Sequence, residues 1–344
     1  MTLTGVELSP YRDVGFSYRG GERGRGNYTA MTNACDVCGQ KKVEEHEEDY
    51  LVNRDVPQSV KIGLGFETAL ALAGRGARII IADKNDATES IRKIQEETNN
   101  KNLTYKYVDL SSLTSIRKFA KEINEEESRL DILINNAGAS GFRNKFTEDG
   151  LQLGIQVNHF GPFLLTHLLI DLLKKSAPSR IIFVSSICAF LNNLKIENLN
   201  AKSEMMFDAC AEVCLYGNTK LMNVITANIL GDKLREYGVT TYSVHPGLVN
   251  TPIYRNFKGE NALHLWKFFM YRILLPLYGK TPCEGAQTQI ECALSRELEK
   301  ETGKYYIDCR PFLFPWKVAN KEFCQELWKK SEELVHLQES EKIL

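Results

Sequence analysis

The segment GLGFETALALAGRGARIIIAD, residues 63–83, decides the fold class of this chain. It opens with glycines, continues with a helical pattern that ends at Gly74 or Gly76, and changes at Arg78 to a short run rich in isoleucine. A helical period followed by an apolar, β-branched run predicts a helix and then a buried strand. The segment is therefore one helix–strand unit of an α/β protein.

The same alternation continues along the chain. We predict further helices at 86–99, 112–127, 148–176 and 208–237, and further strands at 104–110, 131–138, 180–186 and 240–247. Strands that alternate with helices form a parallel, doubly wound sheet with right-handed crossovers. The expected fold class is α/β, a Rossmann-type sheet in a single domain at 58–337 with a tail at 338–344.

Residues 1–57 show neither pattern. The runs RGGERGRGNY (19–28) and KKVEEHEED (41–49) are polar and charged and keep no period of 2 or 3.6. Just before the patterned region, VNRDVP (52–57) is polar and contains a proline, which makes it a poor central strand. We expect a low-order N-terminal arm at 1–57 and a doubtful first strand.

Composition limits the function classes. The 344 residues are 43% hydrophobic and 25% charged with a formal net charge of -1, and no basic block argues for nucleic acid. A small-molecule ligand is expected instead. The nine cysteines are an odd number, and no signal peptide opens the chain, so we expect free thiols in a cytoplasmic protein. Cys35, Cys38 and His46 do not complete four zinc ligands, so no metal site is predicted.

Polar residues follow the ends of the predicted strands. Because the carboxyl ends of parallel strands meet at one edge, where such sheets bind ligands, these residues should lie together. Each alone has an alternative reading as an ordinary turn or helix cap. They are Asp83, Asp109, Asn135 to Gly138, Ser185, Ser186, Pro246, Gly247 and Thr251.

The sequence YGNTK, residues 216–220, lies within the predicted helix 208–237. Residues four apart share one face of a helix, so Tyr216 and Lys220 look into the same space. A positive charge about 5 Å away favours the phenolate by roughly 3 kcal/mol at an effective dielectric constant of about 20. The pair predicts a tyrosine that exchanges protons near neutral pH, and an ordinary helix face is the alternative.

In their order and spacing, NNAG, a later helical asparagine, SS, YxxxK and PGxxxT resemble the short-chain dehydrogenase/reductase family over roughly 58–337. Within it the chain is most similar to the retinol dehydrogenase group, through segments such as GFETALALAGRGA, RIIFVSS, EGAQTQIECAL and GKYYIDC. The resemblance implies an enzyme that uses NAD or NADP to interconvert an alcohol and a carbonyl.

The resemblance also implies residue roles. Tyr216 matches the catalytic acid/base, Lys220 the residue that lowers its pKa and holds the ribose, Ser186 the hydroxyl that binds the reacting oxygen, and Asn158 the fourth catalytic position. Tyr216 and Lys220 also count among the cofactor contacts. The other implied cofactor-binding residues are Gly63, Leu64, Gly65, Asp83, Lys84, Asp109, Leu110, Asn136, Ala137, Gly138, Pro246, Gly247 and Thr251.

Pro162 supports the importance of Asn158 independently. Proline has no N–H, so the carbonyl of Asn158, four residues earlier in the same predicted helix, loses its usual donor. A water bound there would connect Lys220 to solvent, as in the family's proton relay. A plain proline kink beside Gly161 is the alternative.

The chain departs from the family's TGxxxGxG motif. Gly63 and Gly65 match the last two glycines, but Ser59 stands at the first glycine and Gln58 at the threonine. The expected cost is a weaker phosphate cradle and weaker cofactor binding. The alternative function is therefore a catalytically impaired family member that acts as a binding or scaffolding protein.

Three further expectations concern specificity and contacts. Asp83 suits a ribose 2′-hydroxyl and favours NAD(H), whereas Lys84 would suit NADP(H). The apolar, aromatic segment 262–278 implies an apolar substrate such as a retinoid or steroid, and contact with a membrane surface; packing on the core is its alternative. The family's usual pairing through its long helices implies a homodimer.

Overall fold

The computed structural model describes residues 2–7, 63–142, 144–201, 208–249 and 279–343. These residues form one sheet of eight strands in the order β3-β2-β1-β4-β5-β6-β7-β8. The strands are β1 Thr2–Glu7, β2 Arg78–Asp83, β3 Leu103–Tyr107, β4 Ile132–Asn135, β5 Ser179–Val184, β6 Val239–His245, β7 Lys304–Ile307 and β8 Arg310–Phe312.

Helices cover both faces of this sheet, as the alternating pattern predicts. No described helix is both long and apolar enough to cross a lipid bilayer. The helices are α1 Leu64–Ala73, α2 Thr88–Thr98, α3 Leu113–Glu126, α4 Leu153–Ile155, α5 Gly161–Leu168, α6 Ile170–Lys175, α7 Asp208–Leu234, α8 Pro282–Leu294 and α9 Lys321–Leu334.

Strand β2 shows how the two faces form. Its alternate residues Ile79 and Ile81 join the apolar cluster that includes α1, while Ile80 and Ala82 join the cluster that includes α3, α5 and α7. Both sides of the strand are thus buried, which is why its sequence is a continuous apolar run. The bounds predicted for β2 are confirmed without change.

The sheet is parallel where the crossovers predict it. Strands β2 and β3 pair in parallel, as do β4, β5, β6 and β7 in sequence. Strand β8 turns back from β7 and is antiparallel to it. The predicted doubly wound α/β architecture is confirmed.

The central slot between β2 and β4 is filled by β1, a strand that the sequence pattern does not predict. It runs antiparallel to both neighbours, and Leu3 is the register partner of Ile81 on one side and Ile134 on the other. Thr2–Glu7 therefore replaces the doubtful strand expected immediately before Gly63. The rest of the predicted arm, the altered motif at Gln58 and Ser59, Thr251 and the segment 262–278 lie outside the described residues.

The single helix predicted at 148–176 is divided in the structure. Between α4 and α5, residues Gln156–Phe160 form a π-helical turn in which the N–H of Gly161 donates to the carbonyl of Gln156, five residues earlier. Pro162 lacks the N–H needed for the ordinary helical bond, so the backbone widens here. A second break at Leu169 separates α5 from α6.

The predicted tail at 338–344 differs from what the structure shows for residues 338–343. Arg117 forms an ion pair with Glu341, and Lys233 Nζ donates to the carbonyl of Ile343 at 3.0 Å. The side chain of Ile343 is buried in the core cluster. These residues pack on the domain instead of extending from it.

Deleting residues 2–7 tests the central strand. Without β1, the facing edges of β2 and β4 lose their hydrogen-bond partners, so we expect a fall in Tm of roughly 10 °C or more, or failure to fold. Thermal unfolding followed by circular dichroism measures this. Deletion of residues 10–15, which removes the same length and spares β1, is the control. Equal Tm values for the two deletions would show that β1 contributes nothing.

Candidate active site

The predicted ligand edge exists. The turns that follow β2, β3, β4, β5 and β6 lie at the carboxyl ends of these strands, along one edge of the sheet. Helix α1 ends just before the amino end of β2, so it begins at the same carboxyl edge. The structure thus brings together all the predicted site residues that it describes. Thr251 is the one predicted site residue outside the described ranges.

Tyr216 and Lys220 lie one turn apart on α7 and face each other. Lys220 Nζ is 5.4 Å from the centroid of the Tyr216 ring and donates to the carbonyl of Val184, at the end of β5, at 2.8 Å. Burial lowers the pKa of Lys220 to about 8, partly offset by the nearby Cys188 thiol. At neutral pH the lysine is thus mainly a cation and lies beside the phenol ring.

Ser186 lies two residues beyond the end of β5 and caps the 3₁₀ turn Ile187–Phe190. Its Oγ accepts a hydrogen bond from the N–H of Cys188 at 3.2 Å. The preceding Ser185 donates from Oγ to the carbonyl of Lys220 at 2.7 Å. This bond ties the end of β5 to α7, so the serine turn and the tyrosine helix hold a fixed relation.

Asn158 clamps the turn after β4. Its Oδ1 accepts from the N–H of Ala139 at 2.7 Å, and its Nδ2 donates to the carbonyl of the same residue at 2.8 Å. The Nδ2 group also donates to Thr219 Oγ1 on α7 at 3.1 Å. The buried amide therefore joins the Asn136–Gly138 turn to the helix that carries Tyr216.

The carbonyl of Asn158 differs from the expectation of a freed acceptor. Asn223 Nδ2, on α7, donates to it at 3.0 Å. Pro162 withholds the backbone donor as predicted, but a side-chain amide takes its place. The proline therefore creates an additional link between the π-helical turn and α7.

Gly217 was missed by the sequence analysis, although it lies inside the motif. A Cβ at this position would lie 2.3 Å from the carbonyl oxygen of Leu191 and 2.5 Å from that of Cys188. Both oxygens belong to backbone, which yields less readily than a side chain. Glycine therefore lets α7 approach the turn that follows Ser186.

The start of α1 fits an anionic ligand. Gly63 caps the helix in an extended conformation, φ −172° and ψ 175°, and no described side chain caps the first turn. A Cβ on Gly63 would meet no described atom within 4 Å, whereas Gly65 is buried. The first N–H groups of this helix point toward the ligand edge, where the pyrophosphate of a dinucleotide would bind. Leu64 is the first helical residue.

Asp83 and Asp109 both organise turns at the ligand edge. Asp83 Oδ1 accepts from the N–H and the side-chain amide of Asn85, at 2.9 and 3.0 Å. Asp109 Oδ1 accepts from the N–H and hydroxyl of Ser111, at 2.8 and 2.6 Å. Lys84 Nζ lies 4.0 Å from Asp109 Oδ2. These contacts suit the capping alternative.

Two further predicted site residues, Leu110 and Gly247, lie in close contact with other parts of the chain. The carbonyl of buried Leu110 lies 2.8 Å from the Cβ position of Gly161, so the turn after β3 packs directly on α5. Gly247, which follows the buried Pro246, has a φ of +94° and lies against the Lys280 side chain. Positive φ explains why glycine stands there.

Gln289 on α8 is another residue that sequence reasoning missed. Its Nε2 donates to Thr68 Oγ1 on α1 and lies 3.4 Å from Asn136 Oδ1. The buried amide therefore joins the start of α1 to the turn after β4. Its segment EGAQTQIECAL contributes to the family resemblance, which was the available signal.

A small, partly open cleft lies beside the tyrosine. Glu212, one turn before Tyr216 on α7, accepts from the N–H of Gly141 at 3.2 Å and forms part of the wall. This contact holds the loop after β4 over the cleft. Other lining residues are Ser140, Phe142, Asn158, Leu215 and Tyr216.

Metal and disulfide chemistry have no described site. The described ranges contain no group of three or more His, Cys, Asp or Glu residues able to hold a metal ion, and their cysteines are free thiols. Cys35, Cys38 and His46 lie outside these ranges.

Comparisons with known proteins bear on the family of this chain. The family model described as short chain dehydrogenase matches residues 60–197. Human retinol dehydrogenase 11 is 38% identical over 277 residues, 80% of this chain and 83% of that protein. Mouse retinol dehydrogenase 12 is 38% identical over 278 residues, 80% of this chain and 84% of that protein.

A solved structure supports the fold. An uncharacterized protein from Mycobacterium paratuberculosis matches with a TM-score of 0.61 and 24% sequence identity, covering 81% of this chain and 91% of its own. At that identity the likeness bears on the fold alone.

The buried Lys220 predicts a pH-dependent stability. Because the folded pKa of about 8 lies below the ordinary 10.5, the unfolded chain binds the extra proton between these values, and stability rises with pH across that window. The gain approaches about 3 kcal/mol at its upper end. Urea unfolding of the wild type and of Lys220→Met, measured from pH 7 to pH 10, isolates this contribution as the change in their difference.

Lys220→Met also leaves the Val184 carbonyl without its donor, but that loss is the same at every pH. Only the pH dependence of the difference is diagnostic. Parallel stability curves for the two proteins would contradict the lowered pKa.

Proposed function

The chain belongs to the short-chain dehydrogenase/reductase family, and from this membership we propose that it interconverts an alcohol and a carbonyl on an apolar substrate of the retinoid type, with Tyr216 as the acid/base. The observation that carries the proposal is the Tyr216–Lys220 pair on α7, with a buried ammonium 5.4 Å from the phenol ring. A nicotinamide dinucleotide supplies the acceptor or donor of hydride when bound.

Tyr216 handles the proton. In alcohol oxidation its phenolate removes the hydroxyl proton while hydride leaves the carbon, and in reduction the phenol returns that proton. The Lys220 cation favours the phenolate, and the Val184 carbonyl holds the ammonium in position. Ser186 donates to the reacting oxygen and keeps it beside the phenol.

The cofactor site is formed by the start of α1 and the turns at the ligand edge. The N–H groups of Gly63, Leu64 and Gly65 would hold the pyrophosphate, since the described first turn has no side-chain cap. The Asn136–Gly138 turn is held by Asn158 and supports the same site through Ala139. Lys220 is the proposed contact to the ribose.

The substrate class rests on the relatives and on the surface beside Ser186. The relatives in the comparison are named retinol dehydrogenases. In this chain Ile187 and Leu191, which lie on either side of the turn after Ser186, are exposed apolar residues. An apolar entrance beside the reacting hydroxyl suits a retinoid, and a steroid or long-chain carbonyl is the alternative.

The alternative of a catalytically impaired binding or scaffolding protein is not favoured. Enzymes of the family are its relatives, and Asn158, Tyr216 and Lys220 are linked through α7, where Asn158 donates to Thr219 and Lys220 lies beside the Tyr216 ring. Cofactor binding should separate the two classes directly. Titration with NADH and NADPH, followed by fluorescence, is the measurement.

NAD(H) is the proposed cofactor, with NADP(H) the alternative. Asp83 ends β2, where an acidic residue accepts hydrogen bonds from a ribose 2′-hydroxyl and repels a 2′-phosphate. Lys84 Nζ lies 4.0 Å from Asp109 Oδ2, and this neighbouring carboxylate disfavours a phosphate beside the lysine. A homodimer through the long helices and a cytoplasmic location with membrane contact complete the proposal.

Replacing Tyr216 with Phe tests the acid/base. The change removes one hydroxyl, and we expect turnover to fall at least ~100-fold with the fold intact, the usual size of general acid–base catalysis. Turnover of all-trans-retinol with NAD and of retinal with NADH measures the loss. Tyr237→Phe, which removes an exposed hydroxyl just beyond α7, should leave turnover unchanged. If Tyr216→Phe kept activity within a few-fold of wild type, Tyr216 would not be the acid/base.

Replacing Asp83 with Ser tests the cofactor preference. Removing the carboxylate should shift the ratio of kcat/KM values for NAD and NADP toward NADP, because a 2′-phosphate is no longer repelled. Asp86→Ser is the matched control, since Asp86 also accepts from a neighbouring N–H and hydroxyl, those of Thr88. The same ratio in wild type and Asp83→Ser would mean that Asp83 only caps its turn.

A further inference from the structure

A set of exposed apolar side chains lies on the α7 side of the sheet, beyond Ser186. Leu313 is 77% exposed and Trp316 is 68% exposed, and the others in the set also face solvent. A soluble protein rarely displays so many large apolar side chains together unless the surface has a partner. We call this set the aromatic patch; it consists of Ile187, Leu191, Phe312, Leu313, Phe314 and Trp316.

Ring contacts connect the two parts of the aromatic patch. Phe312, on the edge strand β8, meets Phe190 edge-on with ring centroids 6.3 Å apart. Phe190 closes the 3₁₀ turn that Ser186 begins, so the run from Phe312 to Trp316 continues to Ile187 and Leu191. The aromatic patch therefore extends from the proposed substrate entrance to the outer edge of the sheet.

Three cations lie along the run, which is bounded in the sequence by Asp308 and Glu322. Residues 309–321 contain Arg310, Lys317 and Lys321 and no acidic residue. The preceding Asp308 is already paired with Lys280. Lys317 Nζ lies 5.1 Å from the Trp316 ring, with its charge beside the aromatic surface. Exposed aromatic and leucine side chains flanked by cations match the interface of a bilayer that contains anionic lipid.

We propose that the aromatic patch seats this chain on the surface of a bilayer containing anionic lipid, and that the apolar substrate passes from the lipid to the site along Ile187 and Leu191. The second clause rests on the proposed function, because only an apolar substrate partitions into the bilayer. The contact is peripheral: the side chains at Leu313 and Trp316 enter the interface while the strand beneath them stays paired with β7.

A second copy of this chain is the weaker occupant. In a twofold contact the same surface meets itself. Arg310, Lys317 and Lys321 would then face their own copies, with no acidic residue in 309–321 to offset them. Anionic lipid headgroups supply that missing charge.

Vesicle sedimentation with the purified full chain tests the proposal. Phosphatidylcholine vesicles, with and without phosphatidylserine, are mixed with wild type and with the double variant Leu313→Glu/Trp316→Glu. We expect the wild type to sediment with vesicles, more so with phosphatidylserine and less so at high salt. The double variant should lose roughly tenfold or more in partitioning, because two charged groups replace apolar ones at the interface.

Two control variants sharpen the result. Tyr107→Glu changes an exposed aromatic residue on β3, the opposite edge strand, and should sediment like wild type. Arg310→Gln/Lys321→Gln should remove only the preference for phosphatidylserine. Leu313→Glu alone replaces the double variant if the latter does not fold, as judged by its thermal midpoint.

Each outcome decides the matter. Sedimentation of the double variant equal to wild type would overturn the proposal, as would a wild-type dimer that the double variant converts to monomer in light scattering without any vesicle binding. Turnover of all-trans-retinol dispersed in a non-ionic detergent, without vesicles, is measured in parallel. Vesicle binding without turnover would count against the proposed function alone, and turnover without vesicle binding against the aromatic patch alone.

Discussion

Helix α7 lies against the turn that follows Ser186 at a distance that only glycine permits at position 217. Backbone oxygens of Cys188 and Leu191 occupy the space that a Cβ would need. Forcing a methyl group into such a contact costs about 1–3 kcal/mol and moves the backbone. The bonds from Lys220 to Val184 and from Ser185 to the Lys220 carbonyl are made across this close approach. Glycine at position 217 thus lets the helix lie near enough to β5 for these two bonds to form.

A second set of bonds connects α7 to the turn after β4. Asn158 holds both backbone groups of Ala139 and donates to Thr219, whose hydroxyl in turn donates to the carbonyl of Tyr216. Asn223 closes the network on the Asn158 carbonyl. The side chains of Asn158, Thr219 and Asn223 are buried and hydrogen-bonded, so the network fixes the site before any ligand arrives. Pro162 contributes by leaving that carbonyl for Asn223.

Local pattern was enough for most of the fold and for the residues at its ligand edge. The run Arg78–Asp83 became β2 unchanged, because a strand buried on both faces has an unmistakable apolar sequence. Long-range contacts were not readable in this way. The clash that demands Gly217 involves residues about thirty positions away in the chain, and the bond from Gln289 to Thr68 joins opposite ends of the domain. The π-helical turn was predictable only in part. Pro162 indicated that the Asn158 carbonyl loses its backbone donor, but the sequence did not indicate that Asn223 would replace that donor.

Strand β1 shows why the central slot escaped the sequence pattern. A parallel sheet with a gap between β2 and β4 presents two rows of unpaired backbone groups, and any extended segment can satisfy them in either direction. Thr2–Glu7 does so antiparallel, with Glu7 beside Arg78 at the amino edge of β2. The chain therefore leaves β1 at the edge opposite to the start of α1. In the family motif the first strand runs straight into the glycine turn, so strand and phosphate cradle are built as one unit. Here Thr2–Glu7 completes the sheet, and a different segment leads into the N-terminus of α1. The N-terminus of α1 still presents its N–H groups to an anion, but the central strand no longer sets how the chain enters that helix.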